Sequence, residues 1–432
     1  MRSIAIALAL CGCGAAGPTP AEPERVPPAI AAPIAPDDTQ VHGSLELVQG
    51  QPVLRVWGTP RQMGFAHGAL LRARIIDVVE HYALDVVPPR TLDATASLVG
   101  SVAAIPATLR EEAEGIVAGM QHAGGARIPA LRRDLTVEDL FVLNAMTDLL
   151  AVGCSSVSAW GEATVGELAG QPAIVRNLDW SADAELLANQ IVIVTMPADP
   201  SRRAVVSVAF AGYIGCLSCV NDAGVAALFN MGYGDGAAGL AGAVAGFSPA
   251  NLLLRDVLER SDVDGDEAFT GADVEAALRA STQVGSWILH VVEPGAVAAA
   301  RKRAPARILE VESDGVVRRE PGEPALGPDL LAATNHLRAK AEPRECSRYD
   351  RIEARAKSSQ RRFDRDALWD LAIDLRLAEV VHTMLVEPDS RRIALWLRQP
   401  GERAKSPALP VVHEWATLVT GTRSAPTSGT GP

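Results

Sequence analysis

Gly153 followed by Cys154 is the dipeptide of this chain with the clearest capacity for chemistry. A thiol can attack the carbonyl of the residue before it when that residue is small and unhindered, and glycine meets the condition. The thioester formed would hydrolyse and leave Cys154 with a thiol and a free α-amine, whose reference pKa of about 7.7–8.0 suits a general base near neutral pH. Nucleophile and base would then share one residue. Arg176 and Asp179 follow about one hairpin downstream, among the apolar Val175, Leu178 and Trp180. Charges in such a stretch are costly to bury unless paired or used. An arginine favours the thiolate, and an aspartate can accept from the α-amine and orient it. The alternative is a turn after Val175 with both charges in solvent. Asn230 ends the apolar run that starts at Val225, and Asn335 stands beside His336 after Ala333 and Thr334. An amide NH₂ at a strand end is the kind of donor an oxyanion hole needs.

These residues must be positioned by two different kinds of structure. Before Cys154, a strand pair over Leu45–Val48 and Pro52–Trp57 is followed by helical spacing over Gly64–Tyr82, Thr108–His122 and Val137–Ala151. From Cys154 onward the text turns to short β-rich runs: Cys154–Trp160, Pro172–Val175, Gln190–Met196, Ala204–Phe210, Ile214–Val220 and Val225–Asn230. Helical patterns return at Pro249–Arg260 and Gly271–Ala280, with strands expected at Ser286–Glu293, Ala298–Lys302, Arg307–Val311 and Gly315–Arg319. A helical pair, Arg348–Ser359 and Arg365–Arg376, leads to strands at Val381–Glu387 and Arg392–Leu397.

In this order the motifs resemble the isopenicillin N acyltransferase (penicillin acyltransferase) family of autoproteolytic acyltransferases and hydrolases, within the N-terminal nucleophile hydrolases. More distantly they resemble bile salt hydrolase and acid ceramidase. The matching text is Gly153-Cys154-Ser-Ser-Val-Ser-Ala-Trp160, Arg176-Asn177-Leu178-Asp179-Trp180, the upstream segment Gly58 to Gly68, Thr334-Asn335-His336, and Ser347-Arg348-Tyr349, spanning roughly residues 42 to 398. Val157 departs from the pattern, standing where an aromatic is more usual. The resemblance implies an α+β fold, a four-layer αββα sandwich with a helical N-terminal pro-region cut from it between Gly153 and Cys154. It implies Cys154 as nucleophile and base, Arg176 and Asp179 contacting its thiol and amine, Asn230 as oxyanion donor, and Asn335 aligning the intermediate. The late family arginine falls on Arg348, with Arg351 as the alternative. The implied reaction cleaves a linear amide of an acylated small molecule through a thioester, with water or an amine as acceptor. No cofactor and no metal are expected. The expected partners are that substrate and the protein's own two cleaved chains.

The remaining text sets the surroundings. Residues 1–12 read as a signal peptide, with Cys13 as the lipidated cysteine of a bacterial lipoprotein, and residues 13–41 as a Pro-rich tether. The expectation is an exported protein of the bacterial cell envelope that meets a membrane only through its lipid anchor. Residues 42–153 are expected as the pro-region, 154–398 as the catalytic domain and 399–432 as a flexible tail. Apolar residues make up 48% of the 432, ample for a core, and the net charge of −12 argues against a nucleic-acid partner. Cys216 and Cys219 read as two buried strand cysteines, with a disulfide as the alternative. The acidic run Asp262 to Asp273 has Glu267 where a calcium loop needs glycine and Asp273 where it needs glutamate, so a polar turn is the plainer reading. His67, between Gly64 and Gly68, is read as a packing residue and His336 as structural or pocket-lining. The competing functions are a noncatalytic exported lipoprotein that binds a ligand, and a papain-like pairing of Cys154 with His336.

Overall fold

The computed structural model describes residues 40–146, 153–233, 246–339 and 345–420. The expected signal peptide, Cys13 and nearly all of the tether lie outside them. The chain opens on the hairpin β1 (Gly43–Val48) and β2 (Gln51–Gly58), turning at Gln49 and Gly50, which both have positive φ. α1 (Pro60–Val78) starts from a capping box between Thr59 and Gln62 with Pro60 at its first position. It runs through a π turn, Val79–Ala83, into α2 (Leu84–Val86). α3 (Pro89–Val102) has no counterpart in the sequence reading, because its Thr-, Ser- and Gly-bearing text is weakly helical and few of its residues, Leu92, Ala96 and Val99 among them, are buried. Next come α4 (Ala107–His122), the small hairpin β3 (Arg127–Ile128) and β4 (Arg133–Asp134), and α5 (Val137–Asn144); the last residues of the helix expected up to Ala151 lie outside the described residues.

From Gly153 the order is β5 (Gly153–Ala159), β6 (Ala173–Asp179), α6 (Ala184–Ala188), β7 (Gln190–Pro197), β8 (Val205–Phe210), β9 (Ser218–Asn221) and β10 (Ala226–Met231). Then follow α7 (Ala250–Glu259), α8 (Gly271–Arg279), β11 (Trp287–Val292), α9 (Gly295–Ala300), β12 (Ala306–Glu312), β13 (Gly315–Arg319) and β14 (Leu330–Ala333). α10 (Ser347–Ser358), α11 (Arg365–Leu375), β15 (Val380–Glu387), β16 (Arg392–Leu397), β17 (Val411–Glu414) and α12 (Trp415–Thr420) complete it.

The strand expected at Ala298–Lys302 is instead the helix α9, consistent with alanines following Pro294 at its N-cap. The tail expected to be loose after Gln399 also differs. β17 pairs with β16, and Trp415 and Leu418 enter the core. The buried Arg55 guanidinium donates to the Leu418 carbonyl (2.7 Å) and the Thr417 carbonyl (3.3 Å), tying down the end of a helix that the polar text around it does not announce.

Two sheets face one another. One has nine strands in the order β1-β2-β7-β8-β9-β10-β11-β12-β13, the other six in the order β14-β5-β6-β15-β16-β17. Alternation decides which side chains go where. Val53, Val192, Val194, Val206 and Val208 of the first sheet meet Ile174, Met384, Val386, Ile393 and Leu395 of the second in the central core. Leu54, Val56, Ile191, Ile193 and Ala209 point the other way, into the layer of α1, α4 and α5. α7 and α8 cover the same outer face further along, and α10 and α11 cover the outer face of the six-stranded sheet. The result is helices outside two sheets, four layers in all.

The segment before Cys154, expected to be helical, also supplies strands to the sheet. β1 and β2 belong to the nine-stranded sheet, and β2 runs parallel to β7 over six residue pairs from Val53↔Val192 to Gly58↔Pro197. This happens because residues 42–58 carry apolar side chains on both faces of β2, and only a sheet covered on both sides buries them. α1 and α4 approach backbone to backbone. A β-carbon on Gly68 would stand 2.0 Å from the Ile116 carbonyl oxygen, and one on Gly119 would stand 2.1 Å from that of Phe65. His67, next to Gly68, is buried and accepts from the Gly212 N–H at 3.0 Å.

Gly68→Ala should therefore lower the unfolding free energy by about 1–3 kcal/mol in urea or thermal melts, because the clashing atoms are backbone. Behind the same helices, Glu112 of α4 lies 3.7 Å from Arg255 of α7, which also pairs with Glu259 at 2.6 Å. Burial, partly offset by Arg255, pushes Glu112 up from 4.5 to about 7. Between those values the folded chain holds a proton that the unfolded chain releases. Stability should therefore fall as pH rises through that window, by at most about 1.4 kcal/mol per unit. Glu112→Gln should reduce that slope.

Candidate active site

β5 and β6 pair antiparallel with Cys154 opposite Leu178 and Ser156 opposite Arg176. The two-residue alternation of the strands then sends Cys154, Ser156 and Arg176 into the space between the sheets, and Ser155 and Asn177 toward α11. There the Asn177 amide donates to the Ala372 carbonyl (2.8 Å) and to the Ser155 hydroxyl (3.2 Å). Arg176 is buried, which rules out the exposed-turn reading. Its Nη2 donates to Cys154 Sγ (3.5 Å) and to the Phe229 carbonyl (2.6 Å), and its Nη1 to the Leu217 carbonyl and the Ser218 hydroxyl. Among the described residues no carboxylate stands within ion-pair distance of this guanidinium.

The backbone of Cys154 is held separately. Its N–H donates to Asn335 Oδ1 at 3.0 Å, and its carbonyl accepts from Arg348 Nη1 at 2.6 Å. Arg348 Nη2 donates to the same Asn335 oxygen at 2.5 Å, and Nη1 lies 3.3 Å from Asp179 Oδ2. Asp179 also accepts from the Leu377 N–H at 3.2 Å. One arginine on the first turn of α10 thus connects three expected site residues. Arg351, one turn on, is exposed and donates to the carbonyls of Ser347 and Asp374. Three residues apart, the two are neighbours on the helix surface, and it is the packing of α10 that buries Arg348 against Cys154 and leaves Arg351 in solvent.

A β-carbon on Gly153 would come within 2.9 Å of Leu377 Cδ1 and 3.2 Å of Asp179 Cβ, so a larger residue would have to displace those side chains. Burial raises the Cys154 thiol above its ordinary value, and Arg176 pulls it back down while Asp179 works against that. Burial likewise pushes Asp179 up to about 6, with Arg348 opposing.

Asn230 is buried between the sheets with its Nδ2 donating to the Ser156 hydroxyl (3.4 Å) and the Thr334 carbonyl (3.3 Å), while its Oδ1 has no partner among the described residues. Asn335 Nδ2 donates to the Met231 carbonyl at 2.9 Å. Asn230 and Asn335 are therefore on facing strand ends, as their sequence positions suggest. His336 stacks edge-on with Tyr233, with ring centroids 5.7 Å apart. Asp262 accepts from the N–H groups of Gly265 and Glu267, and Asp273 caps α8 with Thr270, so these carboxylates organise a turn.

Several site-forming groups carry no local sequence signal. His290 of β11 sits between the sheets with Nδ1 2.9 Å from the Ser156 hydroxyl and Nε2 2.8 Å from that of Ser158. Burial holds its pKa down to about 3, so the ring is neutral. The polar side chains at alternate positions of β5 are the one trace of this in the sequence. Cys216 and Cys219, expected as two buried cysteines, are joined as a disulfide across the turn before β9, with Cα atoms 5.8 Å apart. Next to the site lies an apolar cavity lined by Val79, Tyr82, Leu140, Trp180, Phe210 and Tyr213. Trp180 Nε1 donates to Tyr82 Oη at 2.5 Å, so a wall of this cavity joins the segment before Cys154 to the strand after it.

Removing one member of a buried charge pair leaves the other unpaired. Arg348→Met should lower the unfolding free energy by about 3 kcal/mol in denaturant melts, whereas Arg351→Met should change it by no more than about 0.5 kcal/mol.

No protein-family model matches this chain. No curated protein matches it either. Among solved structures it is similar to the Caenorhabditis elegans ortholog of N-acylethanolamine-hydrolyzing acid amidase, with 18% identity over 55% of this chain and 93% of that one and a TM-score of 0.40. It is also similar to a mutant form of conjugated bile acid hydrolase from Clostridium perfringens (10% identity, 61% and 93% covered, TM-score 0.38). A third is penicillin V acylase from Agrobacterium tumefaciens (12% identity, 60% and 84% covered, TM-score 0.36).

Proposed function

We propose that this chain is an autoproteolytically activated cysteine amidohydrolase or acyltransferase of the N-terminal nucleophile type. The observation that carries the reading is the grip on Cys154: a guanidinium with no carboxylate partner on its thiol, and Asn335 and Arg348 on its N–H and carbonyl. A buried structural cysteine must also satisfy its backbone, but it has no need of a guanidinium on its thiol or of charged and amide side chains as its backbone partners.

In the first step Sγ attacks the Gly153 carbonyl carbon, the Gly153–Cys154 C–N bond breaks, and the thiol proton passes to the departing nitrogen. Water then hydrolyses the thioester, giving a Gly153 carboxylate and a free thiol. The α-amine thereafter takes the thiol proton as a substrate is attacked, and returns a proton to the leaving amine. Arg176 favours the thiolate, Asp179 orients the amine, Arg348 holds the Cys154 carbonyl, and Asn335 and Asn230 align the tetrahedral oxygen. A second thioester forms on the substrate's acyl group and passes to water, or to another amine.

After the cut, residues 42–153 and 154–398 stay together on this reading, because β2 remains bonded to β7. Export and anchoring through Cys13, which would place the enzyme in a bacterial cell envelope, rest on the first residues of the sequence alone.

Purified wild type should run on a denaturing gel as two chains whose masses place the break between Gly153 and Cys154. Cys154→Ala should stay whole and inactive toward a panel of N-acyl amides. Active wild type that remains one full-length band would overturn the proposal, and an inactive full-length band would favour a ligand-binding lipoprotein.

A further inference from the structure

One layer behind Arg176 stands a group that the reaction as described does not use. Arg176 Nη1 donates to two consecutive residues, the Leu217 carbonyl and the Ser218 hydroxyl. Both lie inside the four-residue turn that the Cys216–Cys219 disulfide closes. Cys216 and Cys219 face outward into the layer of α7, among Val205, Ala227 and Leu254. Ser218, next to Cys219 on β9 and so of opposite parity to it, faces the space between the sheets. There its hydroxyl meets a second partner, His382 Nε2 of β15, at 2.9 Å.

The donor inventory fixes one end of this chain. A guanidinium has only donors, so the Ser218 oxygen accepts from Arg176, and its second partner is His382 Nε2, with the direction of that bond following the imidazole tautomer. Burial and the nearby Arg176 hold His382 well below its ordinary pKa, so the ring is neutral and adds no second cation beside Arg176. The guanidinium is a planar fork, and fixing Nη1 fixes where Nη2 points. With no carboxylate nearby to hold it, and with Arg176 Nε lacking an acceptor among the described residues, its aim at Cys154 Sγ depends on these acceptors together with the Phe229 carbonyl, which takes Nη2 at 2.6 Å.

We propose that Ser218, set by the disulfide-closed turn and by His382, is a positioning residue that aims Arg176 at the Cys154 thiol. The inference rests on Cys154 as the nucleophile, and its observable is the ionisation of that thiol. The charged or titratable groups that bear on Cys154 are Arg176 and Asp179 from β6, Arg348 from α10, and Tyr233 after β10; those on Ser218 are Arg176 and His382.

The test is a pH titration of thiolate ultraviolet absorbance on the full chain, with the Cys154→Ala spectrum subtracted, alongside thermal melts. Loss of the Ser218 hydroxyl weakens the cation's hold on the thiolate, so the midpoint should rise. Ser218→Ala is expected to move it upward by about one unit, and Ser218→Thr, which keeps the hydroxyl, to stay within about 0.3 unit of wild type. Cys216→Ala/Cys219→Ala keeps Ser218 but frees the turn, and its midpoint should rise as well; it decides the matter if Ser218→Ala does not fold. A wild-type midpoint in these variants, or an equal shift in Ser218→Ala and Ser218→Thr, overturns the proposal. A purely structural role would lower melting temperatures without moving the midpoint. The readout does not require amide cleavage, so failure of the proposed function, seen as an uncut wild type, is distinguishable from failure of this inference.

Discussion

A guanidinium buried between two sheets with no carboxylate beside it is expensive, because an ion moved out of water loses several kcal/mol of hydration that only well-placed acceptors replace. Arg176 is in that position, and its acceptors come from all around it: the Leu217 carbonyl and Ser218 hydroxyl at the start of β9, the Phe229 carbonyl on β10, and the Cys154 thiol on β5. A one-residue slip of β6 against β5 would turn Arg176 to the outer face and Asn177 inward. The registers of β5, β6, β9 and β10 are thus mutually constrained through one side chain. The site is where the two sheets are keyed together.

The outer end of β5 has its own logic. Arg348 reaches the Cys154 carbonyl, Asn335 Oδ1 and Asp179 from a single position on α10, so the helix layer, the β14 end and β6 meet at the backbone of Cys154. Burial raises both the thiol and the Asp179 carboxyl, and the two arginines oppose it from opposite sides. Removal from water and proximity of positive charge act against each other here. On the proposed function, that balance sets whether Cys154 carries a proton before attack.

The segment before Cys154 is bound to the rest of the fold by interactions that do not run through the Gly153–Cys154 bond. They include the β2–β7 ladder, the glycine-mediated contact of α1 with α4, the ion pairs of Arg255 with Glu112 and Glu259, and the shared wall of Tyr82 and Trp180. A break in the chain at that point would leave all of them intact. It would also leave one wall of the apolar cavity on each chain.

Local patterning makes much of this legible. The change from helical to alternating text at Cys154, the turn at Gln49 and Gly50, the helices at Thr108 and Arg365 and the paired last strands follow from periodicities of three to four and of two, which a chain declares over short distances. The order of Cys154, Arg176, Asp179, Asn230 and Asn335 is equally readable. Where local text is ambiguous, it misleads: the alanines at 298–300 read as a strand, α3 goes unannounced, and the polar stretch after Gln399 hides β17 and α12. Tertiary contact decided the rest. Arg348 and Arg351 have the same local setting, and only the packing of α10 onto β5 separates them. Ser218, His290 and His382 are ordinary residues along the chain; they become a buried polar network because strands distant in sequence bring them within hydrogen-bond reach. Sequence by itself determined which residues could do chemistry and on what elements they lie. The fold determined which acceptors surround each charge, since burial and long-range register are properties of two sheets meeting and of no single segment.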